Sequence, residues 1–209
     1  MKLLVVGSTG LVGRHVLDLA LADGRIDAVV TPVRYDVANH PKLFAPIVDF
    51  ETLPNDVDWW RVDSVICTLG TTMRVAGSQE NFRKVDHDYA LAVARLARQH
   101  GASTFALNSA IGANPSSRFF YNRLKGELER DLATLGFRSL TFVRPGLVGG
   151  KRDETRPAEK FAAIVLGAFH PVLPRRLRIS PAERIAQALI DAAITARPGT
   201  HIIGSAELT

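Results

Sequence analysis

KLLVVGSTGLVG, residues 2–13, places a short apolar run directly before three glycines, Gly7, Gly10 and Gly13, in GxxGxxG spacing. A continuous apolar run of this length reads as a strand covered on both faces. The glycines then turn the chain, and a helix begins within the motif. Glycine permits a tight turn and lets the backbone come close to a diphosphate, whose charge meets the free amides of the helix N-terminus. Gly7, Thr9, Gly10, Leu11, Val12 and Gly13 are therefore candidate ligands of a dinucleotide. A glycine-rich turn with no ligand is the alternative. A P-loop is excluded, because GxxxxGK[ST] does not occur.

Outward from this motif, short β-like runs alternate with helical ones. Strands are predicted at 2–7, 27–33, 45–50, 63–70, 103–109, 139–145 and 201–204, and helices at about 10–22, 79–99, 116–135 and 182–195, with another near 158–168. Gly24, Gly101 and Gly136 are read as helix stops, and SPAE at 180–183 as a helix start with Ser180 as its N-cap. The connections at 35–44 and 51–62 read as short and weakly helical. This alternation predicts an α/β fold: a doubly wound, Rossmann-like parallel sheet in one domain over 1–209, with a small substrate-side segment at about 146–180. Ligand-binding residues should then follow the carboxyl ends of the strands.

Composition narrows the function. The chain has 209 residues, 46% of them hydrophobic and 22% charged, which suits one globular core. Its single cysteine, Cys67, excludes an internal disulfide or a thiolate metal cluster. No run is long and apolar enough to span a membrane, and the opening residues lack a signal-peptide cleavage site, so the expected location is the cytoplasm. The net charge of +5 is spread among acids, without aromatic platforms, and disfavours nucleic acid. The main basic excess runs from Arg144 to Arg178 and suits the rim of a cleft for an anionic small molecule. A homo-oligomer is compatible with all of this.

Two strand ends carry further chemistry. After the second strand comes TPVRYD, where Arg34 would favour a 2′-phosphate and hence NADP(H) over NAD(H). Asp36 stands close enough to argue the other way, and an unpartnered surface arginine is a third reading. In FYNRLKGELE (120–129), Tyr121 and Lys125 lie four residues apart on one helix face, where a phenol and an ammonium could act together. Alone, the pair also reads as a partly buried tyrosine beside a solvated lysine.

GSTGLVG, Arg34, CTLGTTMRVAGSQENFRKVDHDYA (67–90), NSAIGANPSSRFFYNRLKGELE (108–129) and RPGLVGG (144–150) together resemble the atypical short-chain dehydrogenase/reductases, especially the group around Tat-interacting protein 30. The resemblance spans residues 1 to about 160. It implies a Rossmann-like fold, NADP(H) binding and a catalytic group of Ser109, Tyr121 and Lys125. Tyr121 would give a proton to the carbonyl oxygen, Ser109 would hold and polarise that oxygen, and Lys125 would favour the phenolate and bind the nicotinamide ribose. It also implies adenine contacts from Asp49 and Phe50, an adenosine wall of Leu69, Gly70 and Thr71, and a nicotinamide-side loop of Pro145, Gly146, Leu147 and Val148. The helix asparagine that completes a proton relay in many members is replaced by VDHDY. Asp86, His87 and Asp88 are read there as residues solvating a helix face, with no catalytic role.

The expected activity is hydride transfer between nicotinamide and a small carbonyl or alcohol. The alternative is an NADP(H)-sensing regulatory binding protein with little turnover. A nucleotide-sugar epimerase fits less well, because only about sixty residues follow the sixth strand.

Overall fold

The computed structural model describes residues 1–149 and 179–209. Seven strands form one parallel sheet: β1 (Lys2–Val6), β2 (Ala28–Val30), β3 (Leu43–Phe44), β4 (Ser64–Cys67), β5 (Thr104–Asn108), β6 (Ser139–Arg144) and β9 (Gly199–Gly204). Their order is β3-β2-β1-β4-β5-β6-β9, so the direction of winding reverses between β1 and β4. That reversal opens a crevice at the carboxyl edge of the sheet, where ligands bind in doubly wound folds. The Rossmann-like fold read from the sequence is the one observed.

The two faces bury separate cores. Helix α1 (Leu11–Ala22) and a C-terminal helix, α6 (Ala182–Thr195), cover one face with Val16, Ala20, Ile185, Leu189 and Ile190. The other face packs under α4 (Tyr89–Gln99) and α5 (Phe120–Ala133) through Leu91, Val93, Ala97, Leu128 and Leu132. Each fully buried Leu or Ile contributes about 1.5–3 kcal/mol, so these stripes fix which side of each helix faces the sheet.

Several boundaries differ from expectation for local reasons. The second strand stops at Val30, because Pro32 and Pro46 remove ladder donors, and only a Val33–Ile47 bridge extends the pairing. The 51–62 connection holds no α-helix, only a 3-10 turn at Asp58–Trp60 that buries Trp60 completely. The helix expected from 116 begins at Phe120, since Gly112 (φ 74°) and the Asn114 Oδ1 acceptor of Ser116 N, at 2.9 Å, fold residues 110–119 into turns. Gly101 and Gly136 take positive φ after their helices, whereas Gly24 does not, and α1 ends on extended Asp23. Ser180 is not an N-cap. It belongs to β8 (Ser180–Pro181), which pairs with β7 (Val148–Gly149), and Pro181 precedes the helix with no side-chain cap. The helix expected near 158–168, and most of both the 146–180 segment and its basic run, lie outside the described residues.

Candidate functional site

The glycine turn owes its shape to close backbone approach. Val6 pairs with Cys67, which brings Gly7 against the residues that leave β4. A Cβ on Gly7, at φ +83°, would lie 2.7 Å from Leu69 N and from the Thr68 carbonyl carbon. A Cβ on Gly13 would lie 2.0 Å from Gly7 O, so helix α1 sits directly on the turn. The α1 N-terminus and the end of β4 then flank one crevice, which has two connected chambers.

The first chamber, about 510 Å³, is lined by Gly7, Thr9, Gly10, Arg34, Phe50, Leu69, Gly70 and Thr71. The second, about 800 Å³, is lined by Gly10, Leu11, Val12, Arg34, Leu69, Gly70, Thr71, Ser109, Tyr121, Lys125, Pro145, Gly146, Leu147 and Val148. Arg34, exposed, lies on the wall shared by both, while Asp36 lines neither. Two of the sequence candidates stand back from the crevice. Gly13 lies beneath the turn, and Asp49 accepts Glu51 N at 2.9 Å and Thr52 Oγ1 at 3.3 Å in its own loop.

At the far end, Tyr121 occupies the first turn of α5, 44% exposed, with its ring edge-on to Phe82 at 6.1 Å. Lys125 lies one turn on, with its Nζ 5.9 Å from the Tyr121 ring centroid. Their proximity is the one the four-residue spacing requires. Lys125, however, is only 3% exposed and is not a solvated side chain. Its Nζ pairs at 2.8 Å with Asp86 Oδ1, while Asp86 Oδ2 accepts the Thr71 amide at 2.7 Å. Burial is the largest influence and opposes the Lys125 charge, but the Asp86 carboxylate, together with Tyr121 and Cys67, outweighs it and holds the ammonium above its ordinary range. The adjacent negative charge also offsets the field that Lys125 projects on Tyr121.

Asp86 and His87 thus do not solvate a helix face. Residues Lys84–Asp88 form a π-helical turn between α3 (Gln79–Arg83) and α4, and this turn buries both side chains. His87 sits between Asp88 Oδ1 at 2.8 Å and Asp131 Oδ2 at 3.1 Å, which ties the turn to α5. The helical period of 3.6 assumes regular winding, so it gives the wrong facing at a π turn.

Ser109, also buried, points its Oγ at Glu129 Oε1, 2.5 Å away. Arg144 Nε donates to the same oxygen at 3.0 Å, and Arg144 Nη2 donates to Glu129 Oε2. The hydrogen bond to Glu129 raises the Arg144 pKa, so the guanidinium stays charged. At the opposite end, Tyr89 O–H donates to Glu51 Oε1 at 2.6 Å, and Lys84 lies 3.3 Å from the same oxygen. Burial first, and Glu51 second, push the Tyr89 phenol up to about 12. Glu51, Lys84 and Tyr89 all line the first chamber beside Phe50.

A protein named fmp52, mitochondrial, from Emericella nidulans is 38% identical over 177 residues, which cover 80% of this chain and 76% of the relative. Its counterpart in Aspergillus fumigatus is 36% identical over 221 residues, covering 98% of this chain and 92% of the relative. The chain belongs to the Fmp52 family. No protein-family model matches it. Among solved structures, MoeE5 in complex with UDP-glucose and NAD superposes with a TM-score of 0.74 at 18% identity, over 98% of this chain and 76% of that one. A short chain dehydrogenase family protein from Francisella tularensis superposes with a TM-score of 0.67 at 16% identity, over 99% and 98%. At such identities the likeness concerns the fold.

Membership of the Fmp52 family overturns the cytoplasmic expectation, because these relatives are named as mitochondrial proteins. The expectation rested on the lack of a signal-peptide cleavage site and of a long apolar run, and neither feature distinguishes the cytoplasm from a mitochondrion; nor does Cys67, fully buried in β4 with its thiol pushed up to about 11 by burial. Among the described residues no helix is long and apolar enough to cross a membrane.

Sequence reasoning missed Glu129 and Glu51 in this member of the Fmp52 family, and it gave Asp86 no role. Glu129 stands four residues beyond Lys125 and Asp86 lies on a different segment, and only the fold reveals the charge each one meets. The relatives carry the Fmp52 name, so the narrower likeness to the Tat-interacting protein 30 group is not what the comparisons establish.

Proposed function

We propose that the chain is an NADP(H)-dependent oxidoreductase of the atypical short-chain type, of the Tat-interacting protein 30-like group, acting in mitochondria on a small carbonyl or alcohol. The observation that carries this reading is the continuity of the crevice from the glycine turn, past Arg34, to Tyr121 and Lys125. The residues present fit a dinucleotide. Gly7 leaves room where any side chain would strike the backbone of Thr68 and Leu69, and the α1 N-terminus lies beside it. Gly10, Leu11 and Val12 would hold the diphosphate, Arg34 the 2′-phosphate, Phe50 the adenine, and Lys125 the nicotinamide ribose.

A bound nicotinamide supplies or accepts the hydride. Tyr121, exposed to the second chamber, gives its phenolic proton to the carbonyl oxygen on which negative charge develops, or takes it back in alcohol oxidation. Asp86 keeps Lys125 ionised and fixed beneath Tyr121. Pro145 and Leu147, on the wall of the second chamber, would lie beside the nicotinamide. Tyr121→Phe should lower kcat by about 10²- to 10⁴-fold while leaving the NADPH dissociation constant within twofold. Arg34→Ala should weaken NADPH by about tenfold and leave NADH unchanged, since a charge-assisted hydrogen bond is worth about 1.5–3 kcal/mol. Equal affinity of the wild type for the two cofactors would overturn the NADP(H) assignment.

One observation favours a second reading, a cofactor-sensing protein with little turnover: Lys125 and Ser109 are both engaged by buried carboxylates. No turnover across aldehydes, ketones and quinones, together with NADPH-dependent binding of a protein partner, would select it.

A further inference from the structure

Ser109 presents a conflict between its expected role and its hydrogen bond. To polarise a carbonyl oxygen it must donate, because that oxygen only accepts. A serine hydroxyl has a single hydrogen. Glu129, gripped by Arg144 at both carboxylate oxygens, is ionised and has no proton of its own to offer. The 2.5 Å contact is therefore Ser109 donating to Glu129, and its only hydrogen points away from the second chamber, which Ser109 lines.

We propose that Glu129 is a positioning residue that latches Ser109 in a non-donating state, so that a carbonyl ligand must draw the hydroxyl away from Glu129 before Ser109 can hold it. This inference rests on the oxidoreductase reading for its ligand, though not for its hydrogen bond. The moving part is the hydroxyl rotor alone. The Ser109 backbone is fixed, its amide donating to Val143 O at 2.7 Å, and the loop after it is clamped to α5 by the Asn114 amide on Asn122 O at 3.0 Å. The same loop seats against Gly126, where a Cβ would lie 2.2 Å from the Asn114 carbonyl carbon. When the hydroxyl turns, Glu129 keeps both donors of Arg144, so its buried carboxylate is never left unpaired. Arg144 thus makes the swing feasible. A serine beside an isolated buried carboxylate would not be released.

Glu129→Leu removes the acceptor, and Glu129→Gln removes its charge in either orientation of the amide. The first should free the Ser109 proton for the chamber, and the second should weaken the hold on it. With the protein saturated with NADP+, cyclohexanone should bind about tenfold more tightly to Glu129→Leu than to wild type, with Glu129→Gln in between. Adding Ser109→Ala to either should cancel the gain. A purely structural role predicts weaker binding in both, never stronger. Unchanged or weaker binding in both folded variants overturns the latch. If Glu129→Leu does not fold, Glu129→Gln decides. Independently of any ligand, proton NMR of the wild type should show one slowly exchanging downfield hydroxyl proton, missing from Ser109→Ala and from Glu129→Leu and shifted upfield in Glu129→Gln. Its absence from the wild type also overturns the latch. Failure of the wild type to bind NADP+ would sink the oxidoreductase reading instead, and the hydroxyl proton would then decide the latch by itself.

Discussion

At the glycine-turn end of the crevice the deciding contacts are between backbone atoms: Gly7 against Thr68 and Leu69, and Gly13 against Gly7 O. At the Tyr121 end they are between charged side chains far apart in sequence: Asp86 with Lys125, and Glu129 with Arg144 and Ser109. The first end is rigid because nothing larger than hydrogen fits. The second is rigid because separating its charges would leave one of them buried and alone. Steric fit tolerates no addition, whereas charge pairing tolerates no one-sided removal. The two ends should therefore fail differently when mutated.

The largest effect should come from breaking the charged end on one side. Asp86→Ala leaves the Lys125 ammonium buried without its partner, and removing one member of such a pair costs about 3–5 kcal/mol. Removing both, in Asp86→Ala with Lys125→Met, should restore most of that stability, because the desolvation of two charges is relieved together. Urea midpoints of the two variants test this. A double variant no more stable than the single one would show that the pair is not what organises this end.

A smaller loss is expected at the steric end. Gly13→Ala forces a methyl to within 2.0 Å of Gly7 O, and overpacking of this kind costs about 1–3 kcal/mol. Here no second substitution should rescue the protein, since the obstacle is backbone. Thermal unfolding with and without NADPH should show the loss in both states, together with weakened binding. A neutral Gly13→Ala would dissolve the contrast between the ends.

The same contrast explains what could be read in advance. The glycine turn was legible because a backbone constraint leaves its mark on consecutive residues, and strands buried on both faces announce themselves as apolar runs. Tyr121 and Lys125 were legible as a spacing, since one regular helix carries both. Asp86 was visible but misjudged, as it sits in a π turn that rotates two successive side chains inward where regular winding would place them outside. Glu129 lies one turn beyond Lys125, and nothing local marks it. Its partners, Ser109 just past the end of β5 and Arg144 at the end of β6, meet it only because those strands are neighbours. Asp49 was named from its strand end, but the third strand pairs at Leu43–Phe44, ahead of the 45–50 run read as a strand, where only the Val33–Ile47 bridge forms; the loop then turns and puts Phe50 and Glu51 on the chamber, without Asp49. Ser180 carried a helix-start pattern that strand pairing with β7 overrode.

The smallest effect sharpens the comparison from the first chamber, where a polar contact exists but is largely open to water. Tyr89 donates to Glu51, and its phenol is pushed from 10.0 to about 12, by burial first and by the carboxylate second. Raising the pKa of an acid means that the neutral form is favoured by folding. The associated stabilisation is complete below pH 10 and is lost as the pH climbs toward 12. The chain has three tyrosines, so one third of the phenolate absorbance should appear late in an alkaline titration. Tyr89→Phe should delete that late component. If the late component survives Tyr89→Phe, the strongly perturbed phenol does not belong to this contact, and the division between a sterically built end and an electrostatically built one has been drawn in the wrong place.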